Sequence, residues 1–168
     1  MYNKPLAYFI TFTAYGTWLH GDSRQSVLVE NHSTKILGPQ ESFEKHEQEK
    51  LISSPVAFNE NMRFHILEAI MERCIYKQWH LYAAHVRSNH VHIIVHSDEP
   101  IDKVMNAFKA WGTRKLRQSG YTLPKIWTQH GSTKYIFTRA KLIEKTRYVV
   151  HEQGEMMAHY LDPAFDSN

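Results

Sequence analysis

Along His90-Val91-His92-Ile93-Ile94-Val95-His96, imidazoles at 90, 92 and 96 share a period of two against the aliphatic Val91, Ile93 and Val95, and that pattern limits what the chain can fold into. Successive side chains on a strand take opposite faces, so His90 and His92 share one face while Val91, Ile93 and Val95 enter a core on the other. The preceding stretch, His80 to Arg87, reads as a strand too, and Ser88-Asn89 is the turn that joins the pair into a hairpin. Any fold built on this chain has to present two imidazoles side by side on one face of a sheet.

Other elements arrange themselves around that hairpin. Leu6 to Thr13 is rich in β-branched and aromatic residues and is expected to be the first strand. From Asn59, a good N-cap, Phe64, Leu67, Ile70, Met71, Cys74 and Ile75 recur at helical spacing, and the helix should end before Trp79. Asp98-Glu99-Pro100 opens a second helix with Val104, Met105, Phe108 and Trp111 on one face. Short strands are expected at Ile126-Trp127 and from Lys134 to Phe137. Thr138 can cap a last helix running through Gln153, with Gly154 as its stop. The order is that of an α+β, ferredoxin-like βαββαβ sandwich with an antiparallel sheet and an extra C-terminal helix. The expected organisation is one domain over residues 1–168 with an excursion at about 14–59. Within the excursion, Gln40 to Ile52 could form a short polar helix.

Composition excludes several classes. A chain of 168 residues with 42% hydrophobic and 22% charged residues suits a soluble domain with a sizeable core. Its one cysteine, Cys74, rules out an internal disulfide, and no Cys-x-x-Cys pair is present for structural zinc. No long apolar run follows the N-terminus, so neither a signal peptide nor a membrane anchor is expected, and the reading is cytoplasmic. The net charge of +3 permits a nucleic-acid partner. The distribution says more than the total: Lys109, Arg114, Lys115 and Arg117 cluster in the second helix, where they could face phosphates. A solvated helix face would look the same in sequence.

The chemistry turns on two features. Side chains two apart on a strand have Cβ atoms about 6–7 Å apart, close enough for two neutral imidazoles to grip one divalent cation. In the last helix, Leu142, Ile143, Thr146, Val149 and Val150 form an apolar stripe, and at roughly 100° per residue Tyr148 points about 160° from its centre. A tyrosine presented beside a metal can attack phosphorus and become a phosphotyrosine. Each feature alone has an ordinary reading, since 12 histidines and 9 tyrosines leave many for core and surface.

Together, and in this order, they resemble the HUH endonucleases, specifically the single-tyrosine transposases. The stretch from Val86 to Val95 is similar to their paired-histidine strand. Phe108-Lys109-Ala110-Trp111, Trp127 and Tyr148 match the pattern of the REP-associated branch, and Gly16-Thr17-Trp18-Leu19 with Gly21-Asp22-Ser23-Arg24 resembles a subgroup of it. The resemblance implies a magnesium- or manganese-dependent enzyme that nicks single-stranded DNA near hairpins of repetitive extragenic type. It implies a 5′-phosphotyrosine and a free 3′-OH, rejoining of ends, a nucleoid-associated location, and either a monomer or a homodimer.

That pattern also implies a third metal ligand about one turn after the tyrosine. Glu152, at i+4, falls on nearly the same side as Tyr148 and ranks first. Gln153 matches the amide type but reaches inward only if the last turn loosens, and His151 is also near. A carboxylate would suit a hard cation. His96 is expected at the rim, and His85 could support the pair from across the hairpin. Two further readings remain open: a hairpin-DNA-binding protein without cleavage, and a metallohydrolase using His-x-His, a carboxylate and activated water.

Overall fold

The computed structural model describes residues 4–17, 26–30, 33–37 and 54–166. In chain order the elements are β1 (Ala7–Thr13), β2 (Ser26–Glu30), β3 (Ser33–Leu37), α1 (Glu60–Lys77), β4 (His80–Val86) and β5 (His90–His96). They continue with α2 (Ile101–Gln118), β6 (Ser132–Ile136), α3 (Arg139–His151), β7 (Ala158–Leu161) and a 3₁₀ turn, Pro163–Phe165. Five strands form one sheet in the order β6-β1-β5-β4-β7, antiparallel throughout, while β2 and β3 pair separately. Without β7 the sheet and its two crossover helices have the ferredoxin-like βαββαβ order, as the element pattern anticipates.

Local chemistry sets the boundaries. The Asn59 side chain accepts the Met62 N–H at 2.9 Å and starts α1. Gln78, left-handed at φ 56°, ends it. The two-residue turn closes the β4–β5 hairpin, with Arg87 N–H donating to the His90 carbonyl at 2.8 Å. Thr138 caps α3 by accepting the Lys141 N–H at 3.2 Å.

Helices cover both faces of the sheet. On one face, Ile66 and Ile70 of α1 and Val104 and Phe108 of α2 pack with Ile10, Phe12, Val91 and Ile93. On the other, Leu142, Val149 and Val150 of α3 pack with Ala7, Phe9, Ala83 and Ile94. Each large side chain buried this way stabilises the fold by roughly 1.5–3 kcal/mol before entropy is counted. The histidine strand therefore has its aliphatic side under α1 and α2 and its imidazole side under α3.

Several expectations need correction. Phe64 and Ile75 are not core residues: they are 56% and 78% exposed on the outer face of α1, while Met62 and Ile66 take the inner positions. Ile143 is likewise exposed, and the α3 stripe is Leu142, Thr146, Val149 and Val150. Ile126-Trp127 contributes only an isolated bridge, Ala14 to Trp127. The β6 strand begins at Ser132, and α3 stops at His151 rather than Gln153. Strand β7 and the β2–β3 hairpin are additions to the expected layout. The proposed helix at Gln40 to Ile52 lies outside the described residues. Among the described residues no helix is long and apolar enough to cross a membrane.

Candidate active site

The strand registers place Ser132, Thr11, His92, His85 and His159 in one row across all five strands, from β6 to β7. Side chains of such a row share a face. Here it is the face beneath α3, so a polar strip crosses an otherwise aliphatic surface.

His92 is the centre of this strip. It is buried, and burial followed by the neighbouring His90 ring pushes its imidazole down to about 3, so it is neutral at physiological pH. Its Nδ1 lies 2.7 Å from Thr11 Oγ1, and its Nε2 lies 3.2 Å from Gln153 Oε1. The Thr11 hydroxyl can donate to Nδ1 or accept from it, so His92 can present Nε2 either as an N–H or as a lone pair. The His90 ring stands 4.8 Å from that of His92, centroid to centroid. His90 Nδ1 lies 2.7 Å from Asn89 Oδ1, which accepts the ring proton and makes Nε2 the basic nitrogen.

Tyr148 projects from α3 onto the same area. Its ring lies 6.0 Å from His92 and 6.2 Å from Phe9, edge-on in both cases. It is half-buried at the flank of the α3 core, not directed away from it as the helical angle suggests. The Lys145 ammonium sits 5.2 Å from the centre of the Tyr148 ring and 5.9 Å from that of Phe9. In the sequence Lys145 belongs to the basic run Lys134, Arg139, Lys141, Lys145 and Arg147, and its place three residues before the tyrosine on a helix puts it on the same side.

The two candidates for third ligand, Glu152 and Gln153, face different surroundings. Because α3 ends at His151, Gln153 escapes helical geometry: its Nε2 donates to the Tyr148 carbonyl at 3.2 Å, which turns Oε1 toward His92. Glu152, in contrast, is exposed and pairs with Arg147 at 3.6 Å. His151 is exposed as well. His90, His92 and Gln153 come together beside Tyr148; Glu152 does not join them.

Two imidazoles and an amide oxygen are a donor set that suits a divalent cation of intermediate hardness, and magnesium with retained waters can use it too. Neutral His92, with Nε2 aimed at an amide oxygen, fits such an ion. Among the described residues no three His, Cys, Asp or Glu gather into a metal cluster.

The basic stretch of α2 is on the opposite side of the sheet. Lys109 donates to the carbonyls of Thr128 and His130, is half-buried, and burial lowers its pKa. Lys115 pairs with Glu72 at 2.6 Å and Glu68 at 3.9 Å. The Arg114 guanidinium lies 5.0 Å over the Trp111 ring. Arg117 is exposed in the last turn. Trp127 donates its indole N–H to the Lys109 carbonyl and to Thr113, so this Lys–Trp pattern holds α2 to the following loop. His96, at the rim as expected, sits 2.9 Å from the Leu6 carbonyl.

The family model described as "Transposase IS200 like" matches residues 53–152, which span α1 through the end of α3. No curated protein matches the chain. A solved structure of a REP-associated tyrosine transposase bound to a REP hairpin is similar with a TM-score of 0.49 and 13% identity, covering 90% of this chain and 69% of that one. That likeness is too distant to carry an argument.

Proposed function

Because the chain belongs to the IS200-like transposase family and acts on DNA as such, we propose that it cleaves and rejoins single-stranded DNA through Tyr148. The preferred substrates are strands bearing hairpins or repeats, in the nucleoid. The observation that carries this reading is the convergence of His92 Nε2, Gln153 Oε1 and the Tyr148 ring on one side of the sheet.

Tyr148 Oη gives up its proton as it attacks the scissile phosphorus, the bond from phosphorus to the 3′ oxygen breaks, and the departing oxygen takes up a proton to leave a 3′-OH. The product is a 5′-phosphotyrosine, and attack by a 3′-OH on that phosphorus reverses the exchange and releases the phenol. His90, His92 and Gln153 would hold a magnesium or manganese ion, which when bound would polarise the phosphate and offset its developing charge. Thr11 and Asn89 orient the two imidazoles. Lys145 adds positive charge beside the attacking ring. Arg114 and Arg117 contribute to DNA attraction from a distance, whereas Lys109 and Lys115 serve the fold. The unit is residues 1–168 with an insertion at about 14–59.

The deciding experiment incubates the protein with a 3′-labelled hairpin oligonucleotide and manganese, then looks for label attached to protein, because a 5′-phosphotyrosine retains the strand on the 3′ side of the cut. An adduct in the wild type that is lost in His90→Ala and in Tyr148→Phe is expected. Tight hairpin binding without any adduct would favour a DNA-binding role, and cleavage that persists in Tyr148→Phe would favour a metallohydrolase.

A further inference from the structure

His85 is wholly buried in β4 and is used by none of the steps above. Both of its ring nitrogens are engaged. Met157 N–H donates to Nε2 at 3.0 Å, so the ring proton is on Nδ1, which donates to the Val149 carbonyl at 2.8 Å. Burial lowers the pKa of the ring and favours this neutral form.

The two partners bracket the site's least regular segment. Val149 follows Tyr148 directly, and Met157 precedes β7. Between them α3 ends, Gly154 takes a left-handed turn at φ 80°, and Gln153 reaches back to His92. Arg87, which directly follows β4, donates to the Glu155 carbonyl, and His159 Nδ1 lies 2.9 Å from the Met157 carbonyl. The Gln153 side chain also donates to the Tyr148 carbonyl of α3 at 3.2 Å.

We propose that His85 is a positioning residue: its neutral imidazole clasps the end of α3 to the entry of β7, and this clasp holds Gln153 against His92. A neutral imidazole suits the task because it carries one donor and one acceptor on a rigid ring. An aliphatic side chain there would strand both the Val149 carbonyl and the Met157 N–H in a buried place. The part of this inference that concerns the metal rests on the ligand set given under Proposed function; the clasp itself does not.

The test has a metal-free and a metal-bound arm, both on the full chain. In metal-free protein, exchange of the Met157 amide and the Gln153 carboxamide protons, followed by NMR, should be slow in the wild type and several-fold faster in His85→Ala. His85→Gln, which keeps a donor and an acceptor, should recover part of the protection. Unchanged exchange in both variants overturns the clasp. In the second arm, Mn²⁺ binding is read by electron paramagnetic resonance without DNA. His85→Ala and Gln153→Ala should each weaken it roughly 10–100-fold, and the double variant should be no weaker than Gln153→Ala alone. Losses that multiply in the double variant mean that His85 does not act through Gln153, which also overturns the proposal. Mn²⁺ binding left intact by His90→Ala would instead remove the ligand set, and the metal-free arm would still decide the clasp. Should His85→Ala fail to fold, His85→Gln carries both arms with intermediate effects expected.

Discussion

Thr11 and His92 are partners across β1 and β5, and their side chains meet with 2.7 Å between Oγ1 and Nδ1. This contact ties the orientation of a buried imidazole to a strand that the histidine motif does not include. Thr11→Val keeps the shape and β-branching while removing the hydroxyl. We expect a loss of about 1 kcal/mol in stability from the missing hydrogen bond. We also expect Mn²⁺ affinity to fall roughly 10-fold or more as the ring loses its orientation. Thermal melting and a manganese titration check both; affinity equal to wild type would mean that Thr11 does not orient the ligand.

Gln153 and Glu152 are neighbours in sequence with opposite surroundings, one facing His92 and the other paired with Arg147 at the surface. Gln153→Ala should raise the manganese concentration needed for half-maximal cleavage by at least 10-fold. Glu152→Ala should leave it within about twofold, because an exposed ion pair is worth ~1 kcal/mol or less. The reverse ranking in cleavage assays would restore Glu152 as the ligand.

Tyr148→Phe removes one oxygen and preserves the ring that packs edge-on against Phe9 and His92. Melting temperature and hairpin affinity should therefore stay near those of wild type, while covalent protein–DNA adducts vanish. Two rival tyrosines lie elsewhere: Tyr135 meets Tyr8 on edge strand β6, and Tyr160 lies with Met71, Cys74 and Trp79 on the α1 side. Peptide mapping of an adduct to either one would displace Tyr148 as nucleophile.

Lys109 tests whether the basic stretch of α2 is a DNA contact. Its ammonium holds two backbone carbonyls, and charge-assisted bonds of this kind are each worth about 1.5–3 kcal/mol when broken. Lys109→Met should lower the melting temperature and leave the salt dependence of DNA binding unchanged. A residue that neutralises one phosphate would instead reduce the logarithmic salt slope by about 0.7 on a single strand. Measuring affinity over a range of salt concentrations separates the two.

These contrasts show where the sequence is informative. The His90–His96 hairpin is legible because a period of two is a local property, and the ferredoxin-like order follows from counting strong elements. The inner face of α1 is less so: Phe64 and Ile75 share the apolar type of the core residues, but only packing decides which side of a helix meets the sheet. Charge has the same ambiguity, since Lys109 and Lys115 look like phosphate contacts until their partners are known. An ideal helix extended past His151 turns Gln153 away from Tyr148 and favours Glu152. The turn at Gly154 and the bonds to His85 release it from that geometry. Strand β7 is four residues long, follows an irregular segment and pairs with the edge of β4, so little in Ala158-His159-Tyr160-Leu161 announces it.

Cys74 offers a test of the core that is independent of the DNA chemistry. It is buried on the inner face of α1, and burial pushes its thiol up to about 12 from an ordinary 9.0. The thiolate is the reactive form, so iodoacetamide at pH 8 should label native protein far more slowly than urea-unfolded protein. The linkage has a definite sign. The folded state holds the proton more tightly than the unfolded state, so no stability is lost below the unfolded value. As pH rises from about 9 toward 12, the unfolded thiol ionises while the folded one stays neutral, and stability falls. Burial also raises buried Tyr8 and partly buried Tyr82 and Tyr160, which adds a parallel decline, so wild type must be compared with Cys74→Ala. Urea unfolding at pH 8 and pH 10 should show a steeper loss for wild type than for the variant. Equal losses in the two proteins, or rapid labelling of the native chain, would mean that Cys74 is not buried as described.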